Sequence, residues 1–315
     1  MQIIDSQVVE RVLDMGRCIG LMNDALIALS RGDATQILRP VFPLYDRNLL
    51  GMMPAYLSSR SIAGVKILSV FPENYMLGLP SHQGQMLVFE AETGRLKASV
   101  DAESVTGIRT AAASAAVTQV LARPDARSLA VLGAGLQGRR HLEAIRLVRD
   151  LTEVTVWDIR PEAAQKYARE MGEKTGLPVR ACNSAREAVQ DADIVCTVTP
   201  SKEPILCARD VKPGTHINAV GACTATAREI SADLMAKGRL FVDWKPAAVV
   251  EAGDYVLALA DGAITEDHIL GEVGQVLDGT LPGRLAETDI TIFEALGQAV
   301  EDLIAADFVA ESLKG

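Results

Sequence analysis

The chain has little of what several functional classes require. Its five cysteines (Cys18, Cys182, Cys196, Cys207, Cys223) are scattered, with no C-x-x-C pair. That pattern gives no disulfide framework and no zinc-finger spacing, and it predicts a reduced, cytoplasmic protein. The four histidines (His82, His141, His216, His268) stand apart, so no metal site is expected. Basic residues are outnumbered, 31 Lys and Arg against 41 Asp and Glu, for a net charge of −10. A nucleic-acid surface needs clustered cations to neutralise phosphates, so that partner is excluded. No apolar run approaches the roughly 20 residues that span a bilayer. The N-terminal "MQIIDSQVVERVLDMG" is acidic and patterned, unlike a signal peptide. One further absence is local. "THINAVGACTATAREI" (215–230) reads as a buried strand running into a small-residue loop, where α/β enzymes often carry catalytic groups. Gly221, Ala222, Cys223, Thr224, Ala225, Thr226 and Ala227 include no carboxylate, histidine or lysine. If this is an active-site loop, its acid lies elsewhere.

What is present is an ordinary globular composition, 49% hydrophobic and 23% charged, over 315 residues. That length suits two domains. Residues 5–31 carry helical periodicity, ended by Gly32 in "RGDA". From about 37 to 100, "LLGMMPAYL", "AGVKILSV", "GQMLVFEA" and "RLKASV" predict an antiparallel sheet, with a hairpin turn at Thr93-Gly94. "DAESVTGIRTAAASAAVTQVLARPDA" (101–126) follows as a helix. Its Ala, Ser and Thr at 110–118 predict close backbone packing, and Pro124 stops it. Residues 128–243 alternate strand and helix, the signature of a doubly wound parallel sheet. The last stretch, "DITIFEALGQAVEDLIAADFVAESL", reads as a long amphipathic helix with room for one break.

The most specific motif is Gly133-x-Gly135-x-x-Gly138 in "SLAVLGAGLQGRRHLEAI", between an apolar strand and a helix. Gly133 permits the tight turn, Gly135 admits a pyrophosphate and Gly138 lets helix and strand pack. The helix N-terminus offers free N–H groups and a positive dipole end. The next strand ends at Asp158, where a carboxylate can bind the ribose hydroxyls of NAD and repel a 2′-phosphate. Arg160, two residues on, leaves NADP open.

Basic residues supply the small-molecule side. Lys66 interrupts the apolar "AGVKILSV" and faces either solvent or a pocket, where it would need an anionic partner. Arg109 interrupts a small-residue helix. Its planar fork suits a carboxylate, or else a surface salt bridge. Arg39 precedes Pro40 in a loop-to-strand segment.

These segments resemble the ornithine cyclodeaminase/mu-crystallin family over most of the chain. The markers are "MPAY" (53–56), "GVK" (64–66), "GLPSHQG" (78–84), "ETGRL" (92–96), "GIRTAAASAA" (107–116), "LGAGLQG" (132–138), "INAVGA" (217–222) and "IFEALGQAVED" near the end. The resemblance implies a Rossmann domain (121–289) inserted into an α+β substrate-binding and dimerisation domain (1–120 plus 290–315), assembled as a homodimer. It implies that Arg39, Lys66 and Arg109 hold an amino- or imino-acid substrate. It also implies that Ser81, Thr110, Gly135, Leu136, Gln137, Asp158, Thr199, Ala219, Val220 and Gly221 contact the cofactor.

The departures from the family pattern are informative. The cyclodeaminase carries a catalytic Asp where this chain has Cys223, and a loop lysine where it has Ala227. The acid of "E-L-M-P" aligns with Gly51, and a cofactor-contacting serine aligns with Ala295. Cys223 itself reads as a small apolar filler. The expected activity is therefore NAD(H)-dependent imine reduction, equivalently amino-acid dehydrogenation, with Lys66 and Arg109 as catalytic residues. Candidate substrates are Δ1-pyrroline-2-carboxylate, cyclic ketimines or iminosuccinate, the last with His82 joining the basic cluster. Ornithine cyclodeamination and non-catalytic NAD(P)H binding are the alternatives.

Overall fold

The computed structural model describes residues 1–314, apart from the side chains of Tyr75 and His82. The chain divides into two compact units, Met1–Thr110 with Gly297–Gly315, and Ala111–Leu296. The sequence places the divisions after residues 120 and 289. They fall earlier and later, at 110/111 and 296/297, because residues 111–120 and 290–296 cluster with the second unit.

In the first unit β1 (Gln2–Ile4) is followed by α1 (Ser6–Val12) and α2 (Met15–Arg31). The helical pattern of 5–31 is split because Asp5 and Asp14 each cap a helix, accepting from Val8 N–H and Arg17 N–H. Gly32 ends α2 in the left-handed region, φ 79°. Next come β2 (Ala34–Gln36), β3 (Val41–Pro43), β4 (Leu49–Leu57), β5 (Ile62–Val70), β6 (His82–Glu90) and β7 (Leu96–Asp101). Among the described residues these form a seven-stranded sheet in the order β1-β7-β6-β5-β4-β2, with β3 also on β4. In β5, Ile62, Gly64 and Lys66 alternate onto the buried face, which settles Lys66 as an inward residue.

A single helix, α3 (Ala102–Leu121), leads on, and residues 111–118 are all buried, as their small side chains predict. The second unit contains β8 (Ser128–Leu132), α4 (Leu136–Ile145), β9 (Glu153–Trp157), α5 (Pro161–Thr175), β10 (Val179–Ala181), α6 (Ala185–Val189), β11 (Ile194–Thr197) and β12 (His216–Ala219). It continues with α7 (Ala232–Lys237), β13 (Arg239–Val242), α8 (Lys245–Glu251), α9 (Gly253–Ala260), β14 (Ile269–Glu272), α10 (Val273–Leu277) and β15 (Thr291–Glu294). The sheet order is β10-β9-β8-β11-β12-β15-β13-β14, and its pairings are parallel. The chain winds outward from β8 in both directions, so the crevice for a ligand lies at the carboxyl ends of β8 and β11.

The terminal segment corrects the sequence reading. Its first part is the strand β15, inserted between β12 and β13, and only Ala299–Ser312 (α11) is helical. Thr291, Ile292 and Phe293 favour a pleated, buried strand. Gly297, at φ 77°, then redirects the chain. In the first unit α11 is buried on nearly every side, including Glu301, Asp302 and Asp307. Among the described residues no helix is long and apolar enough to cross a membrane, and no side-chain group is arranged to hold a metal ion.

Candidate active site

In the first unit the structure brings three predicted basic residues to one place. Lys66 is buried, and its ammonium lies 2.6 Å from Asp302 Oδ2 and 3.4 Å from the Thr106 hydroxyl. Arg109 is also buried. Its Nε donates to Asp302 Oδ1 at 3.2 Å and its Nη1 to Glu301 Oε2 at 3.0 Å. Arg39 is half-buried and donates to the Gly297 carbonyl at 3.4 Å. Gly297 connects the two arginines. A Cβ there would stand 2.2 Å from Arg109 Nη1, so the guanidinium lies against bare backbone. His82 is the fourth candidate, and its side chain lies outside the described residues.

Glu301 and Asp302 are partners that sequence reading missed. With the helix assumed to begin near 289 they fall mid-helix, whereas they occupy the first turn of α11, where the helix dipole favours anions. Glu301 also completes a capping box with Gln298, accepting its N–H at 3.0 Å. "QAVED" carried that signature. Burial lowers the Lys66 pKa to about 8, against the pull of Asp302. Burial also works against charge on Asp302, but Arg109 and then Lys66 outweigh it and hold its carboxyl below the usual range. For Arg109 burial is outweighed in the same way by Asp302 and Glu301, which secure the cation.

In the second unit the glycine loop has the geometry its motif requires. Gly133 has φ 115°, and a Cβ there would approach the Val198 carbonyl oxygen to 2.8 Å. At Gly138 a Cβ would lie 2.1 Å from the Gly133 carbonyl oxygen. At Gly135 it would meet nothing within 4 Å, so this face of the loop is open. Gly135 caps α4 without a side-chain bond, which leaves the first turn to a ligand. Leu136 is exposed there, and the buried Gln137 Oε1 has no partner among the described residues. Asp158 follows β9 and braces the loop. Its Oδ2 accepts from Ala134 N–H at 2.9 Å, and its Oδ1 accepts from Arg160 N–H at 2.9 Å and Nε at 3.3 Å. An open glycine face over a free helix N-terminus fits a dinucleotide pyrophosphate.

Thr199, Ala219, Val220 and Gly221 lie at or just beyond the carboxyl ends of β11 and β12, which pair with Thr197 opposite Ala219. Ser81 and Thr110 belong to the first unit. The Ser81 carbonyl accepts from Phe71 N–H at 2.8 Å, and the Thr110 hydroxyl donates to the Thr106 carbonyl at 2.8 Å. Cys223 is half-buried, and its thiol donates to the Val220 carbonyl at 3.1 Å. The acid absent from the loop lies just beyond it. Glu229 Oε2 accepts from Gly221 N–H at 2.8 Å.

The fold and the glycine loop define a Rossmann-type protein with an inserted topology. The chain belongs to the ornithine cyclodeaminase/mu-crystallin family, whose model matches residues 2–315. It is 39% identical over 282 residues to the mouse ketimine reductase mu-crystallin, covering 89% of this chain and 86% of that protein. Among solved structures it is similar to the Thermococcus litoralis Δ1-pyrroline-2-carboxylate reductase in complex with NADH and L-proline. That match has TM-score 0.96 and 34% identity over 100% of this chain and 98% of that one. It is also similar to an archaeal alanine dehydrogenase dimer with bound NAD, with TM-score 0.94 and 30% identity over 100% and 96% of the two chains.

Proposed function

We propose that the protein is an NAD(H)-dependent imine reductase, equivalently an amino-acid dehydrogenase, acting on a small 2-imino acid such as Δ1-pyrroline-2-carboxylate, a cyclic ketimine or iminosuccinate. The observation that carries this reading is the charge set of the first unit. Lys66 and Arg109 pair with Asp302 and Glu301, and Arg39 reaches the Gly297 carbonyl beside Arg109. The cations of this set can meet a substrate carboxylate in a mostly dry setting, and its anions keep them charged. The reductase and dehydrogenase relatives support the same chemistry.

Gly133, Gly135, Leu136, Gln137, Gly138 and Asp158 would hold a nicotinamide dinucleotide, which when bound would supply or accept the hydride. The chain's residues bind and orient. Arg109 and Arg39 hold the carboxylate, and Lys66 holds or moves the proton at the substrate nitrogen. A protonated imine is already electrophilic, so positioning and electrostatics suffice without an acid in the 221–227 loop. Asp158 favours NAD over NADP, which turnover with NADH against NADPH tests. The decisive substrate comparison is kcat/KM for Δ1-pyrroline-2-carboxylate against iminosuccinate. We expect NADH-dependent turnover of at least one of them, and NADH oxidation with neither would refute the reductase reading.

The assembly we infer is a homodimer. Ile37, Val41, Phe42, Leu44, Tyr45 and Leu77 are exposed apolar residues of the first unit, more than a solvated face requires. A similar structure is described as a dimer. Light scattering would then give twice the 33.6 kDa chain mass, and a monomer mass would oppose it. The five cysteines, described without a disulfide, support a reducing cytoplasmic setting.

A further inference from the structure

Thr199 and Gly221 follow adjacent parallel strands, and a single side chain holds both. Glu229 Oε1 accepts from Thr199 N–H at 2.7 Å and from its hydroxyl at 2.6 Å, while Oε2 accepts from Gly221 N–H at 2.8 Å. The residue is fully buried, which raises its pKa, while the donors from Thr199 and Gly221 pull it back toward the carboxylate form. The two strand ends touch closely. A Cβ on Gly221 would lie 2.1 Å from the Thr199 carbonyl oxygen and 2.5 Å from Glu229 Oε2. No other residue fits at 221 while this bridge stands.

Glu229 is itself fixed. Its N–H and that of Ile230 both donate to Asp254 Oδ1 at 2.8 Å, and its carbonyl accepts from Ile205 N–H at 2.8 Å. Asp254 sits in the first turn of α9, beside Gly253. Gly253 N–H bonds the Ala222 carbonyl at 3.2 Å, and a Cβ there would lie 1.8 Å from the Ala227 carbonyl oxygen. The 221–229 loop is thus clamped between α9 and the end of β11.

We propose that Glu229 is a positioning residue for the nicotinamide half of the cofactor, its carboxylate fixing the Thr199 and Gly221 strand ends that receive the ring. This rests on the NAD(H) reading above. It also gives the acid-free loop a rationale, because the loop's carboxylate serves as a brace behind the backbone rather than as a proton donor in front of it.

The test is Glu229→Gln, which keeps the shape but turns one acceptor into an NH2 group facing N–H donors. Binding of NADH and of ADP-ribose, which lacks the nicotinamide, is measured by calorimetry on wild type and variant. We expect NADH to weaken by about 10-fold or more and ADP-ribose to stay within about twofold. Under saturating NADH, kcat should fall while KM for the imino acid holds. Thr199→Val, which drops only the hydroxyl donor, should show the same pattern at smaller size and decides the matter should the first variant not fold. Equal loss for both ligands, the mark of a merely structural role, overturns the proposal, and so does no loss for either. A wild type that binds neither ligand removes the cofactor reading and this proposal with it. A wild type that binds both separates the two questions.

Discussion

Lys66 Nζ and Asp302 Oδ2 lie 2.6 Å apart in a buried pair whose members are 236 residues apart in the chain. The pair joins the strand β5 to the helix α11. Through Arg109, which shares Asp302, it ties α3 to the same point. Its chemistry follows from its burial. An ammonium brought into the interior loses its proton more readily, and the carboxylate beside it limits that loss.

The Lys66 ammonium should therefore be visible in a pH profile. With its pKa lowered to about 8, the protonated form is full below that pH and is lost above it. We expect kcat/KM for imine reduction to fall on an alkaline limb near pH 8. Lys66→Arg, whose cation does not titrate there, should move the limb upward. Comparing the two proteins on one substrate cancels the substrate's own titration. Identical limbs would remove Lys66 from the protonic role.

Arg109 should separate substrate from cofactor. Arg109→Lys keeps a cation but cannot reach Glu301 and Asp302 together. We expect kcat/KM to fall by about 100-fold or more while the Kd for NADH stays within about twofold. Arg109→Ala should be worse in a second way. It takes one partner from each of two buried carboxylates, Asp302 keeping Lys66 and Glu301 keeping the Gln298 N–H, at about 3–5 kcal/mol of stability. Steady-state kinetics and thermal unfolding measure the two effects, and unchanged turnover in either variant would remove Arg109 from the site.

Asp254 gives a stability test with a definite sign. Burial first, and nearby Glu229, raise its carboxyl from 3.8 to about 7, although two backbone N–H groups pull the other way. The folded state thus binds more protons than the unfolded state between those pH values. The stabilisation from this group is fully present below about pH 4 and is lost as pH rises through 7. Its Oδ2 has no partner among the described residues, so the amide of Asp254→Asn fits. We expect the variant's unfolding midpoint to match wild type within about 1 °C at about pH 4 and to exceed it by about 3 °C or more at pH 8. A lower midpoint at pH 8 would contradict the assignment.

Cys223 should prove dispensable. Its thiol is spent on the Val220 carbonyl. Cys223→Ala should keep reductase turnover within about twofold, since the thiol's bond to the Val220 carbonyl is weak and the side chain is a small filler. A loss of 100-fold would give the thiol a chemical role.

Legibility in the sequence followed distance along the chain. Gly133, Gly135 and Gly138 act within about one βαβ unit, and their spacing alone carried the turn and the open face, while the bond from Ala134 N–H to Asp158 was not legible in it. Lys66 was legible as an anomaly in an apolar strand, but its direction was not, because alternation depends on where the strand's register begins. Its partner was less legible still, since nothing local links residue 66 to residue 302. β15 was misread as helix because a short apolar run does not declare its period. Its neighbours in the sheet decide it. Glu229 escaped because it follows the loop in sequence yet lies behind it in space.

The most direct test of the central claim is the fate of NADH. Purified protein is given NADH and Δ1-pyrroline-2-carboxylate, and in parallel ornithine with trace NAD, while absorbance at the reduced-nicotinamide band and proline are followed together. We expect one NADH consumed per proline formed in the first reaction and no proline in the second. Proline from ornithine without net NADH consumption, or no NADH oxidation with any imino acid, would contradict the account.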